Sequence, residues 1–165
     1  MNKKFLALLL CLVATLIANA GPIAVYFSPN GRCTEAAVAE INKAQKTIIF
    51  EAYNFTSPQI LGALMAAHAR GVSIQAIYDR SQKNNAKTLA DELEANSGVA
   101  RWYGSQKIMH DKVLVIDSKV VVTGSFNFTT NAQRFNAENL IVLTDPDIAK
   151  RYEIEFKHLR STAHQ

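Results

Sequence analysis

Short apolar runs alternate with stretches whose apolar residues recur at helical spacing. Ile23 to Phe27 is an apolar run ended by the turn cluster Ser28-Pro29-Asn30-Gly31, which predicts a strand. Thr34 is a candidate N-cap, and Val38, Ile41 and Ala44 predict a helix to about Gln45. Thr47 to Phe55 is β-rich. Ser57-Pro58 combines a cap residue with proline in the first turn; Ile60, Leu61, Leu64, Met65 and His68 carry that helix to Gly71. Val72 to Tyr78 alternates as a strand does. Asp79 to Asn85 is a polar loop, Lys87 to Ala95 a helix with Leu89 and Leu93 on one face, and Val99 to Tyr103 a further strand.

This alternation of strand and helix argues for βαβ units with right-handed crossovers. Met109 to Ile116 and Val120 to Thr123 break the rhythm as a hairpin and add antiparallel strands. Glu138 to Leu143 is a last strand, and Asp145-Pro146 opens a helix holding Ile148, Tyr152, Ile154, Phe156 and Leu159. The expected fold is α/β, a mixed, mostly parallel central sheet flanked by helices.

The first twenty residues stand apart. Lys3 and Lys4 precede an apolar run from Phe5 to Ala18, and Ala18-Asn19-Ala20 offers small residues at cleavage spacing. That pattern predicts a secretory signal peptide over 1–20, cut after Ala20, and a single domain over 21–165. The run is too short for a comfortable membrane span, so no stable membrane anchor is expected. The expected location is the periplasm or the exterior. Loss of residues 1–20 lowers Lys+Arg from 18 to 16 against 14 Asp+Glu, so the net charge falls from +4 to +2. Cys33 is then the one remaining cysteine; an intermolecular disulfide and a free or buried thiol both stay open.

The chemistry concentrates in one stretch, Met109 to Phe128. His110 and Lys112 lie two apart on a predicted strand and so share a face. Histidine can act as nucleophile and as acid or base, and a lysine ammonium beside a phosphate offsets anionic charge. Gly124-Ser125-Phe126-Asn127 brings small polar groups after a glycine that lets backbone approach a ligand closely. Asp117 follows the apolar run and is read as supporting. From Arg101 to Asn136 the bases are Arg101, Lys107, Lys112, Lys119 and Arg134, against Asp111 and Asp117. Trp102, Tyr103, Phe128 and Phe135 are interleaved with them, while Phe126 reads as core. A basic groove with aromatic platforms suits a nucleic-acid backbone and unpaired bases. No pair of histidines or cysteines has metal-ligand spacing, and there is no His-Glu-x-x-His or Walker glycine loop, so neither metal nor cofactor is expected.

The spacing His110-x-Lys112-x4-Asp117-x6-Gly124-Ser125-x-Asn127 resembles the signature of the phospholipase D superfamily, in its single-motif bacterial endonuclease branch. The resemblance implies that Ser125 and Asn127 help Lys112 and Gly124 hold the phosphate. It also implies a downstream carboxylate, here Glu138, that orients His110, so the expected catalytic set is His110, Lys112, Asp117 and Glu138. Phosphodiester hydrolysis needs a neutral imidazole to attack and an acid to protonate the leaving oxygen. One histidine cannot serve both in one step. Superfamily members usually carry two motifs and this chain carries one, so a homodimer with its active site at the two-fold interface is expected. The expected function is a metal-independent, non-specific endonuclease acting on DNA, with RNA also admitted. The rival readings are a phospholipase D-type lipid phosphodiesterase and a non-catalytic nucleic-acid-binding module.

Overall fold

The computed structural model describes residues 22–97, 100–103 and 107–164. The expected signal peptide and the start of the predicted strand at Val99 lie outside those residues.

In chain order the elements are β1 (Ile23–Ser28), α1 (Cys33–Lys43), β2 (Thr47–Ala52), α2 (Pro58–Ala69), β3 (Ser73–Asp79), a 3₁₀ turn (Arg80–Gln82), α3 (Ala90–Ser97) and β4 (Ala100–Tyr103). They continue with β5 (Lys112–Ile116), β6 (Val120–Gly124), α4 (Thr130–Arg134), β7 (Glu138–Thr144), α5 (Pro146–Thr162) and β8 (Ala163–His164). All the strands join one sheet in the order β1-β7-β6-β5-β2-β3-β4-β8.

The sheet is mixed, as expected, but it is not mostly parallel in its pairings. Only β2–β3 and β3–β4 are parallel neighbours; β1–β7, β7–β6, β6–β5, β5–β2 and β4–β8 are antiparallel. The first four strands do run in one direction, as strand–helix–strand crossovers require. The later meander of β5, β6 and β7 inserts between β1 and β2, and hairpin strands pair antiparallel. The inserted meander thus replaces a parallel β1–β2 pairing with four antiparallel contacts.

Alternation along β2 divides two cores. Ile48, Phe50 and Ala52 face α1 and α2 in the larger one, with Leu61, Leu64 and Leu114. Its centre is aromatic: Phe50 meets Phe55 edge-on at 5.0 Å and Phe128 at 5.0 Å, and Phe55 stacks on Tyr78. Phe128, expected in a binding groove, is therefore a core residue, as is Phe126. On the opposite face α5 covers Val113, Val115 and Val121 with Ala149, Ile148 and Tyr152, and Ile77 and Met109 with Phe156 and Leu159.

The caps show local and distant control. Ser57 Oγ accepts from Ile60 N–H, Asp145 accepts from Asp147 and Ile148 N–H, and Gly71 takes the left-handed φ of +92° after α2. Thr34 does not cap α1: it lies inside the helix, buried, and Arg32 holds the cap position without a side-chain bond. Gln133 satisfies that end instead. Its Oε1 accepts from Thr34 N–H at 2.9 Å and its Nε2 donates to Gly31 O at 2.7 Å. Cys33 is a free, fully buried thiol, pushed up to about 11 chiefly by burial and then by the charges of Glu35 and Glu138. At that value it is an inert packing group.

Candidate active site

Antiparallel register decides what meets. Lys112 opens β5 opposite Ala52, Gly124 closes β6 opposite Leu140, and Glu138 opens β7 opposite Ser28. His110, Lys112, Ser125 and Glu138 are thereby delivered to one end of the sheet. His110 itself precedes β5 rather than lying in it.

Lys112 is 5% exposed, and its Nζ lies 2.9 Å from His110 Nδ1 and also donates to the His110 carbonyl. Burial lowers its pKa, opposed by the negative charges of Asp111 and Glu138. A phosphate would relieve that penalty, so the buried ammonium favours an anionic ligand. Which of Lys112 Nζ and His110 Nδ1 donates follows the tautomer of the ring. The imidazole is exposed and rests on the Tyr53 ring, centroids 4.4 Å apart; Lys112 Nζ is 5.1 Å from the same ring. Tyr53 is thus part of the site. Its position just beyond β2 has no sequence sign that separates it from the neighbouring core aromatics.

Glu138 is not hydrogen-bonded to His110, contrary to the expectation that it orients the imidazole. Its Oε2 accepts from Ser125 Oγ at 2.6 Å and its Oε1 from Asn136 Nδ2 at 3.0 Å. Ser125 Oγ also accepts from Asn139 N–H at 3.1 Å. The reason lies in β6–β7 pairing, which sets Ser125 directly against the start of β7. The carboxylate nevertheless acts on Lys112 through space. Asn136 and Asn139 are partners that sequence reasoning missed; as common turn and strand-end residues they carry no signal of their own.

Gly124 answers to the protein rather than to a ligand. Its φ is +147°, and a Cβ there would fall 2.3 Å from Asn139 O. Asn127 is half-buried, and its Oδ1 is buried with no hydrogen-bond partner among the described residues. An orphan acceptor of this kind costs about 1–3 kcal/mol and marks a place where a ligand donor would be welcome.

Asp117 is not brought to the site. It follows β5, five residue steps or roughly 16 Å from Lys112 along an extended strand. Its carboxylate accepts from the N–H groups of Gln45 (2.8 Å), Lys46 (2.7 Å) and Thr47 (2.9 Å), tying the hairpin turn to the start of β2. Burial alone would raise its pKa, but those three donors outweigh it and hold the carboxyl below the usual range. Asp117→Ala is expected to cost about 1–2 kcal/mol through the lost caps. Thermal melting would show that loss with turnover unchanged; lost turnover at unchanged stability would return Asp117 to the reaction.

The groove of aromatics among cations is reduced. Trp102, Tyr103 and Arg101 have side chains outside the described residues, Phe128 is core, and Phe135 is exposed. Among the described residues no cluster of three or more His, Cys, Asp or Glu could hold a metal ion, and no helix is long and apolar enough to cross a membrane.

With fold and site in view, the comparisons converge. The family profile described as "Cardiolipin synthase, PLD-like domain" matches residues 37–160. The chain is 36% identical over 130 residues to a phospholipase D of Rickettsia conorii, covering 79% of this chain and 65% of that protein. It is 32% identical over 117 residues to a mitochondrial cardiolipin hydrolase of Xenopus tropicalis, covering 71% and 56%. The match therefore spans less than two thirds of these relatives. The crystal structure of the phospholipase D family member Nuc from Salmonella typhimurium superposes with a TM-score of 0.83 at 30% identity, covering 87% of this chain and 96% of that one. This is a protein of the phospholipase D-like family. Within it, the chain carries a single copy of the motif on a Nuc-type fold.

Proposed function

We propose that this protein is a phosphodiesterase, most specifically a metal-independent endonuclease of low sequence specificity acting on DNA or RNA. The observation that carries the reading is the buried Lys112 ammonium set 2.9 Å from the exposed His110 ring, at the sheet end that also holds Ser125 and Glu138. In the proposed reaction, His110 Nε2 attacks phosphorus, forming an N–P bond as the P–O bond to the leaving group breaks. A second histidine gives its proton to the leaving oxygen. That histidine then takes a proton from water, whose oxygen attacks phosphorus and breaks the N–P bond. The two Lys112 ammoniums offset the charge that builds on the non-bridging oxygens.

The second histidine comes from a second copy of the chain. An uncovered stripe on β1 supports this: Ile23, Val25 and Phe27 are 62%, 51% and 63% exposed on the face that α5 leaves open. The stripe runs toward Ser28, which pairs with Glu138, so an interface there would be continuous with the site. The leader over residues 1–20 supports export to the periplasm or the exterior.

Near-complete coverage of the Nuc chain favours nucleic acid as substrate. The names of the Rickettsia and Xenopus relatives favour a second reading, a lipid phosphodiesterase. Purified protein in excess chelator, incubated in parallel with plasmid, oligoribonucleotide and cardiolipin vesicles, tests both, with its mass in solution measured alongside. Expected are nicked plasmid, intact lipid and a dimer. Strict dependence on magnesium, or lipid cleavage alone, would overturn the reading.

A further inference from the structure

Phe135 is the most exposed large hydrophobic among the described residues, at 74%. A ring left in water adds no burial to the fold, and its surroundings are polar: exposed Asn131, Arg134 and Asn136. Its mounting is also firm. Phe135 N–H donates to Asn131 O at 2.9 Å as α4 ends, and Asn136 N–H donates to the same oxygen at 3.3 Å. Ser28 Oγ donates to Asn136 O at 3.0 Å, and the Asn136 amide holds Glu138 Oε1. An exposed ring on a firmly held backbone, preceded by a guanidinium, therefore stands one residue from a side chain that grips the site carboxylate.

We propose that Phe135 is a specificity-determining residue that stacks on an unpaired base flanking the phosphate held at His110 and Lys112, so that the enzyme prefers single-stranded or locally opened nucleic acid. The proposal rests on the nuclease reading. A base offers a flat face at a fixed tether from its phosphate, and stacking is open to any base, in keeping with low sequence specificity. In a duplex those faces are already occupied by neighbouring pairs. A lipid surface is the poorer match, because insertion needs a contiguous apolar patch and the residues beside Phe135 are polar or charged. Arg134 would add a cation to the same strand backbone.

The test uses the full chain with Phe135→Ala and Phe135→Trp, on a single-stranded oligonucleotide, its duplex and a strand of equal length that is abasic around the cleaved position. For Phe135→Ala, KM on the intact single strand is expected to rise about tenfold at nearly constant kcat. The abasic strand is expected to be cut equally by both forms, and Phe135→Trp to retain wild-type KM. Equal losses on intact and abasic strands would overturn the proposal, as would conversion of the alanine variant to a monomer. So would impaired cleavage of cardiolipin vesicles with strand cleavage unchanged. If the wild type cuts no strand at all, the nuclease reading itself falls; if the wild type cuts and Phe135→Ala matches it everywhere, only this inference does.

Discussion

His110→Asn is expected to lower phosphodiester cleavage on the order of 10⁴-fold or more, with the melting temperature unchanged. The substitution removes the attacking nitrogen and the proton carrier together, so both halves of the proposed reaction fail. The fold should not notice. The ring is exposed, its one aromatic contact among the described residues is Tyr53, and Lys112 keeps its bond to the residue 110 carbonyl, which asparagine retains. Mixing sharpens the test. If each site needs a histidine from both copies, co-expression with wild type at equal amounts leaves about one quarter of dimers with two histidines, and activity falls accordingly. A fall in simple proportion to the variant fraction would mean that one chain holds a complete site, and the shared-site mechanism would be abandoned. Residual cleavage near wild-type level would remove His110 from the chemistry altogether.

What could be read from the residues was what depends on near neighbours. Ser57-Pro58, Asp145-Pro146 and Gly71 set helix ends through contacts within a turn, and all three act as their local chemistry requires. His110 and Lys112 could be paired because they lie two positions apart. The misreadings all involve partners far along the chain. Thr34 looked like a cap, but Gln133, 99 positions away, does the capping. Asp117 matched a motif position, yet its carboxylate serves N–H groups 70 to 72 positions earlier, at the far end of β5 from Lys112. Glu138 opens β7 at the sheet end that holds His110, while its hydrogen bonds depend on which neighbour β6 presents. The insertion of β5 to β7 between β1 and β2 is likewise a long-range event, invisible to periodicity, and it turned an expected mixed, mostly parallel sheet into one whose pairings are largely antiparallel.

Glu51 gave no sequence signal at all, and replacing it is expected to stabilise the protein. It sits inside β2 between Ile77 and Val113, under α5, 2% exposed, and its Oε1 has no partner among the described residues. Burial, then the charges of Asp111 before β5 and Glu155 on α5, push its pKa from 4.5 to about 8. The native state therefore keeps a proton that the unfolded chain releases above pH 4.5. Stability contributed by the neutral carboxyl is complete below 4.5, declines as pH rises through the window, and levels off above about 8. At pH 7 the difference is about 3 kcal/mol, from roughly 1.4 kcal/mol per pH unit. Glu51→Gln, which cannot ionise, should therefore melt about 10 °C higher than wild type near pH 7–8 and equally near pH 4.5. Glu51→Met should behave in the same way, because it fills similar volume without a polar atom. Melting curves for the three proteins between pH 4.5 and 9 would decide it. A constant offset across that range would mean that packing sets the difference, and a less stable Glu51→Gln at neutral pH would mean that the carboxylate is ionised and held by a partner.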